Sequence, residues 1–253
     1  MISKAEIKKI RALDTKKGRD SHQLILIEGK RLVEQIISTN CSINKIWATE
    51  DFKNKNSNLI RAIELKKIPF NFITKQDLKK ITATQNPSGI VGVMSIPKGD
   101  IKGMNQRIII LDNISDPGNL GTILRTANWF GVCNILLSKE CVDPYNTKVI
   151  RSAMGAHFSM NIVIDKIDSH IKQLQSENFK IIAADLDTQS TIKNLKINTD
   201  KWALLMGSEA HGLSEAVSKL VDCKIKIPQV GEIESLNVSV ACGIFLYHIS
   251  AIN

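Results

Sequence analysis

Short apolar runs alternate with amphipathic stretches along the whole chain. Runs rich in aliphatic and β-branched residues predict strands at 24–27, 45–48, 69–73, 89–96, 108–112, 133–137, 161–164, 179–184, 202–206 and 223–227. Helical spacing of apolar positions between them predicts helices at 29–38, 58–67, 120–130, 166–177 and 237–250. Strand–helix alternation of this kind implies an α/β fold with a mainly parallel sheet. The pattern lapses at 97–106, PKGDIKGMNQ, a polar stretch with one Pro and two Gly. The expected organisation is therefore a smaller α/β domain at 1–97, a linker at 98–106 and a larger domain at 107–253. No internal repeat or low-complexity stretch interrupts it.

Charge sharpens this division. Residues 1–100 hold 19 Lys+Arg against 10 Asp+Glu, whereas 101–253 hold 15 of each, so the whole net charge of +9 lies in the first part. A basic surface can be merely solvated. Clustering favours a polyanionic partner, because cations that neutralise phosphates release condensed counterions. Lys8, Lys9, Arg11, Lys16, Lys17, Arg19, Lys30 and Arg31 form the densest cluster and are the candidate contacts.

Five scattered cysteines without a CxxC pair argue against a disulfide framework and against a zinc site, and no metal is expected. The beginning MISKAEIKKIRALD has no apolar core of a signal peptide, which points to the cytoplasm. The uncharged run 235–253 contains Asn237, three serines and His248, and reads as a helix buried on two sides, in a core or subunit interface, rather than a membrane span.

Three segments carry candidate chemistry. In 111–132, LDNISDPGNLGTILRTANWFGV, a strand runs through a turn into a helix whose N-terminus could meet an anion. Asn119 and Arg125 lie six apart, nearly two turns, and are expected to project from similar sides. Arg125 stands in an apolar helix, where a structural ion pair and a functional role both remain open. In 203–213, ALLMGSEAHGL, a strand enters Gly207, whose missing side chain would let a ligand approach the backbone, and Glu209 and His211 follow. In 227–240, IPQVGEIESLNVSV, a polar loop leads to Ser235 and Asn237, and Asn237 can cap the next helix whatever else it does. P-loop, GxGxxG, HExxH and GxSxG motifs are absent.

Together and in this order, DPGNLGTILRTA, LLMGSEAHGL and IPQVGEIESLNVSVA resemble the three motifs of the SpoU/TrmH branch of the SPOUT methyltransferases. NTKVIRSAMGAHFSMNI resembles the segment between motifs, so the likeness spans about 107–253. More loosely, IKKIRALDTKKGRDSHQLILIEGKRLVEQI and TQNPSGIVGVM are similar to the ribosomal-protein-like substrate-binding domain often found ahead of this catalytic domain.

The resemblance implies a deep trefoil knot, S-adenosylmethionine as cofactor, a homodimer with the C-terminal helix near its interface, and methyl transfer to a ribose 2′-hydroxyl. It assigns Gly207, Ile227 and Leu236 to the cofactor, with Leu205 and Met206 lining the pocket. It assigns Asn119, Arg125, Glu209, Ser235 and Asn237 to catalysis, with Arg125 acting on the hydroxyl either as a base or as a charge that stabilises an alkoxide. The two-domain layout favours large-subunit rRNA. A tRNA substrate and a non-catalytic ribosome-assembly factor are the alternatives; the second predicts damaged motifs, and these are intact.

Overall fold

The computed structural model describes residues 2–39, 41–82, 84, 86–208 and 212–252. The chain divides into two compact units: residues 1–97 with Tyr145–Phe158, and Lys98–Pro144 with Ser159–Asn253.

Unit 1 contains helices α1 (Lys4–Ala12) and α2 (Lys16–His22), strand β1 (Leu24–Glu28), α3 (Lys30–Ile37), β2 (Ile43–Ala48), α4 (Glu50–Lys55), α5 (Ser57–Leu65), β3 (Phe70–Phe72), α6 (Lys75–Ile81) and β4 (Ile90–Ser95). Its sheet order is β1-β4-β2-β3, with β4 antiparallel to both neighbours and β2 parallel to β3. Successive strand residues point to opposite faces, and both faces are covered. Ile25, Ile27, Ile46, Ile90 and Met94 pack with Leu32, Val33 and Ile36 of α3 and Leu59, Ile60 and Ile63 of α5. Leu26, Trp47, Val91 and Val93 pack instead with Ile10, Leu13, Leu78 and Ile81. Burial on both faces explains why β4 reads as an unbroken apolar run rather than an alternation. This smaller sheet is mixed; the parallel sheet expected of the fold lies in unit 2.

Unit 2 has β5 (Ile108–Leu111), α7 (Pro117–Trp129), β6 (Asn134–Leu137), then β7 (Asn161–Ile164), α9 (Ile167–Ser176), β8 (Lys180–Ala184), β9 (Trp202–Met206), α10 (Glu215–Ser218), β10 (Cys223–Ile225) and α11 (Val238–Ile252). The sheet order is β10-β8-β9-β5-β6-β7 and every pairing is parallel. The central strands IIIL and WALLM are buried throughout, as a sheet flanked by helices requires. Chain order departs from β5 towards β6 on one side, while β9 lies on its other side. A crevice for a ligand forms at the carboxyl ends of strands where the order reverses in this way.

The stretch 97–106 is more ordered than a linker. It contains a 3-10 turn at Ile101–Gly103 and the buried Met104. Asn161 pins it to β7, accepting from the Asp100 amide and donating to the Asp100 carbonyl, both at 2.8 Å.

Between β6 and β7 the chain forms α8 (Thr147–Ser152) and a 3-10 turn, Ala156–Ser159. Tyr145, Ile150 and Phe158 join the unit 1 core that contains Ile25 and α3. The sequence pattern placed this segment with the second domain, since nothing in its periodicity reveals which core it completes.

Among the described residues no helix is long and apolar enough to cross a membrane.

Candidate active site

The three motif segments leave the carboxyl ends of β5, β9 and β10. After β5, Asp112 is buried; its amide donates to the Met206 carbonyl and its Oδ2 accepts from the Ser214 amide, both at 2.9 Å. Asp112, through its backbone amide and its carboxylate, thereby ties the first motif to both sides of the second motif's loop. Asp116 caps α7 by accepting from the Asn119 amide at 2.8 Å, with Pro117 at the first helical position. The helix thus begins two to three residues before the apolar pattern shows it.

In the second motif Leu205 and Met206 are buried in β9, and Leu205 belongs to the core beneath the sheet. Their side chains are committed to packing, so a ligand would meet their backbone. Gly207 is required by the loop itself. A Cβ there would lie 2.3 Å from the Gly212 carbonyl carbon and oxygen, so the absent side chain makes room for the loop's own return. Ser208 and Gly212 close that loop with reciprocal backbone bonds of 2.9 and 3.0 Å. Glu209 and His211 lie outside the described residues.

In the third motif the loop from Ile227 to Asn237 is largely exposed, Val230 fully so and Ile233 by 66%. Gln229 pins it by donating to the Gly231 carbonyl at 2.8 Å and the Ile233 carbonyl at 2.7 Å. Ile227 is half-buried; Ser235 and Leu236 are exposed. Asn237 then performs two tasks. Its Oδ1 accepts from the Ser239 amide at 3.0 Å, the Ser239 hydroxyl at 2.6 Å and the Val240 amide at 3.4 Å, capping α11. Its Nδ2 donates to Asn119 Oδ1 at 2.9 Å. Two asparagines 118 positions apart are thus joined, and α7 and α11 pack side by side.

Arg125 is exposed and, among the described residues, forms no ion pair. The structural ion pair left open by the sequence is therefore not formed with any described carboxylate. Its direction differs from expectation. Six residues at about 100° each leave Arg125 and Asn119 about 120° apart around α7. Arg125 shares the exposed stripe of Gly118, Thr122 and Trp129, while Asn119 turns towards α11.

Sequence reasoning missed Asp112, Asp116 and Ser239. The signal for Ser239 was available: a hydroxyl two residues beyond an asparagine cap can reach the capping oxygen. The signal for Asp112 was not, because its partner is 102 residues away.

Of the basic cluster, Lys8, Lys9, Arg11, Lys16, Lys17, Lys30 and Arg31 are exposed. Arg19 is a correction. It is 2% exposed, and its Nη1 donates to the Leu13 carbonyl at 2.8 Å and the Asp14 carbonyl at 3.1 Å. Its charge closes the α1–α2 turn and is withdrawn from any phosphate. Burial raises the thiol pKa of Cys133, Cys141 and Cys223 and pushes that of Cys242 up to about 12.

Residues 106–247 match the model of the SpoU rRNA Methylase family, and residues 4–92 match the MRM3-like substrate binding domain. The chain is 29% identical to the 23S rRNA (guanosine(2553)-2′-O)-methyltransferase RlmP of Bacillus subtilis, an alignment covering 96% of this chain and 95% of RlmP. It is 30% identical to the uncharacterized tRNA/rRNA methyltransferase slr1673 of Synechocystis, over 95% of this chain and 89% of the relative. The AdoMet-bound rRNA methyltransferase from Sinorhizobium meliloti superposes with a TM-score of 0.87 at 26% identity, covering 98% of this chain and 95% of that one.

Proposed function

From the premise that the chain belongs to the SpoU rRNA methylase family, we propose that it methylates a ribose 2′-hydroxyl of large-subunit rRNA, using S-adenosylmethionine. The Asn119–Asn237 hydrogen bond carries this reading, because it brings residues of the first and third motifs together at the sheet's switch point. RlmP acts on a 23S rRNA ribose hydroxyl, and the basic unit 1 supplies a surface for RNA.

The cofactor fits the third motif's loop. Among the described residues, the amides of 229–236 make no bond to another residue's backbone, and apolar Val230, Ile233 and Leu236 stand exposed beside them. Exposed backbone amides not engaged by the fold, next to apolar side chains, suit a ligand with a flat base and polar edges. Gly207, Ile227 and Leu236 would hold S-adenosylmethionine, which supplies an electrophilic methyl group when bound; Leu205 and Met206 contribute backbone only.

Arg125 lies exposed on α7 with no described carboxylate to neutralise it. A guanidinium keeps its proton in proteins, so its role is to stabilise the developing alkoxide rather than to abstract the proton. Asn119, Ser235 and Asn237 orient the ribose for in-line attack, and Glu209 supports that network.

The same reading includes a trefoil knot in unit 2, a cytoplasmic location and a homodimer. Trp129 is 84% exposed and Tyr247 67%, with Val240 and Ile244 on the same helix as Tyr247. An apolar stripe at positions 240, 244 and 247 of α11, with Trp129 exposed on the packed helix α7, suits a second copy of the chain. Sedimentation as a monomer at micromolar concentration would contradict the dimer.

Mapping ribose methylation in rRNA and tRNA from cells with and without the gene tests the function. Loss of a single rRNA site is expected. An unchanged rRNA map with a lost tRNA site would move the substrate to tRNA.

A further inference from the structure

With Tyr145–Phe158 counted where it packs, unit 1 holds 20 Lys+Arg against 9 Asp+Glu, and unit 2 holds 14 against 16. The segment itself contains two cations, Lys148 and Arg151, and no carboxylate. Most of its side chains are buried or half-covered. Those fully exposed are Lys148, Arg151 and Met154, spaced three apart, so that the two cations share the outer face of α8.

Some exposed helical lysines in this protein face a carboxylate, Lys30 with Glu34, Lys75 with Asp51, Lys80 with Asp77 and Lys219 with Glu215, whereas Lys8, Lys9, Lys16 and Lys17 of the basic cluster form no ion pair with a described carboxylate. Lys148 and Arg151 have no acidic partner among the described residues. Lys148 and Arg151 resemble that basic cluster in this respect, and they occupy the exposed face of an otherwise covered segment.

The position of this face is set by Gly155. Its φ of +85° is left-handed, and a Cβ there would lie 2.8 Å from Leu32 Cδ1 and 2.7 Å from Gln35 Oε1. The turn after α8 therefore lies flat against α3, whose first turn carries the exposed Lys30 and Arg31.

We propose that the outer face of α8 is an RNA-binding surface, with Lys148 and Arg151 neutralising backbone phosphates of the substrate RNA beside Lys30 and Arg31. Met154 offers an apolar patch to a ribose or base edge. This surface rests on RNA being the methyl acceptor. It means that a segment lying between the catalytic motifs in sequence grips the substrate as part of unit 1.

The test uses the full chain with Lys148→Ala and Arg151→Ala combined. Binding to an in vitro transcript of the large-subunit rRNA is titrated against salt, with S-adenosylmethionine affinity measured by calorimetry. Two lost phosphate contacts should make the slope of log K against log salt shallower by about 1.5 and weaken binding roughly tenfold. Cofactor affinity and thermal midpoint should be unchanged, and Lys148→Arg with Arg151→Lys should bind as wild type. Lys193→Ala with Lys196→Ala, which removes the same charge from unit 2, should leave the slope alone. A wild-type slope in the α8 variant, or an equal change in the control, overturns the surface, whatever happens to binding of an assembled particle. Wild-type protein that bound this RNA but transferred no methyl group would instead count against the enzymatic reading.

Discussion

The amide of Asn237 has its oxygen committed to three donors, two backbone amides and the Ser239 hydroxyl, which leaves Nδ2 to face Asn119. An amide's oxygen and nitrogen are nearly the same size, so the surrounding donors decide its orientation. Ser239→Ala removes the shortest of the three bonds but keeps the cap made by the backbone amides. The thermal midpoint should fall by no more than about 2 °C, while single-turnover methyl transfer falls several-fold. Asn237→Asp can still cap α11 yet cannot donate to Asn119, and its loss of turnover should be larger at similar stability. If both variants turned over like wild type, the asparagine pair would have no part in the reaction. Arg125→Ala should lower kcat by about 10²–10³, the cost typical of losing one preorganised donor. Arg125→Lys keeps a charge without the planar fork and should recover only part of that loss. The two asparagines and the arginine were legible in the sequence as residue types at motif spacing. The bond between the asparagines was not, because it depends on how α7 packs against α11; the 120° between Asn119 and Arg125 follows from helix periodicity alone and was available from the spacing.

Among elements, the loops are held by close approach as much as by hydrogen bonds. Gly207→Ala would press a methyl group onto the Gly212 backbone, and a backbone cannot swing aside as a side chain tip can. The second motif's loop should open, with a stability loss of about 1–3 kcal/mol and weaker S-adenosylmethionine binding by calorimetry. Unchanged cofactor affinity would show that this loop does not meet the ligand. In unit 1, α1 is tied down by Glu6. Its Oε2 accepts from the Ser3 amide in a capping box, and its Oε1 accepts from Lys45 of β2 at 2.7 Å. The Lys45 bond, followed by the Ser3 amide, lowers the Glu6 pKa from 4.5 to about 2. A lowered folded-state pKa contributes stability above the unfolded value and loses it as pH falls. Glu6→Gln preserves the capping box but not the ion pair. Its melting temperature should lie below wild type at pH 7, and the gap should close as pH falls from 4.5 to about 2. A gap independent of pH would mean that Lys45 contributes nothing. Among the described residues, the buried strands such as β1, β4, β5 and β9 were readable because apolar runs in a sheet covered on both faces leave little ambiguity. Helices α1, α2, α4 and α6 were not, being short and charged, with too few apolar positions to show a period; side-chain caps at Ser3, Thr15, Thr49 and Thr74 mark their beginnings instead.

At the scale of the molecule, the chain crosses between its units at 97, 144 and 158, so neither unit is a continuous stretch of sequence. A boundary at 97 describes composition well and packing incompletely, because the core around α3 takes Tyr145, Ile150 and Phe158 from beyond it. All three are at most 6% exposed. Burying side chains of this size contributes roughly 1.5–3 kcal/mol each, and a whole domain is stable by only about 5–15 kcal/mol. A fragment comprising residues 1–97 alone would open the core that they share with Leu32, Val33 and Ile36. That fragment should therefore melt without a cooperative transition, or with a midpoint well below that of unit 1 in the full chain. Adding a synthetic peptide of residues 143–160 should restore a cooperative melt in proportion to peptide concentration, as expected when a ligand binds only the folded form. The same peptide carrying Ile150→Asp and Phe158→Asp should not. If fragment 1–97 melted cooperatively at the full-chain midpoint without peptide, the segment would be an ornament on unit 1. If instead the peptide is required, folding of the RNA-binding unit depends on a segment drawn from between the first and second motifs.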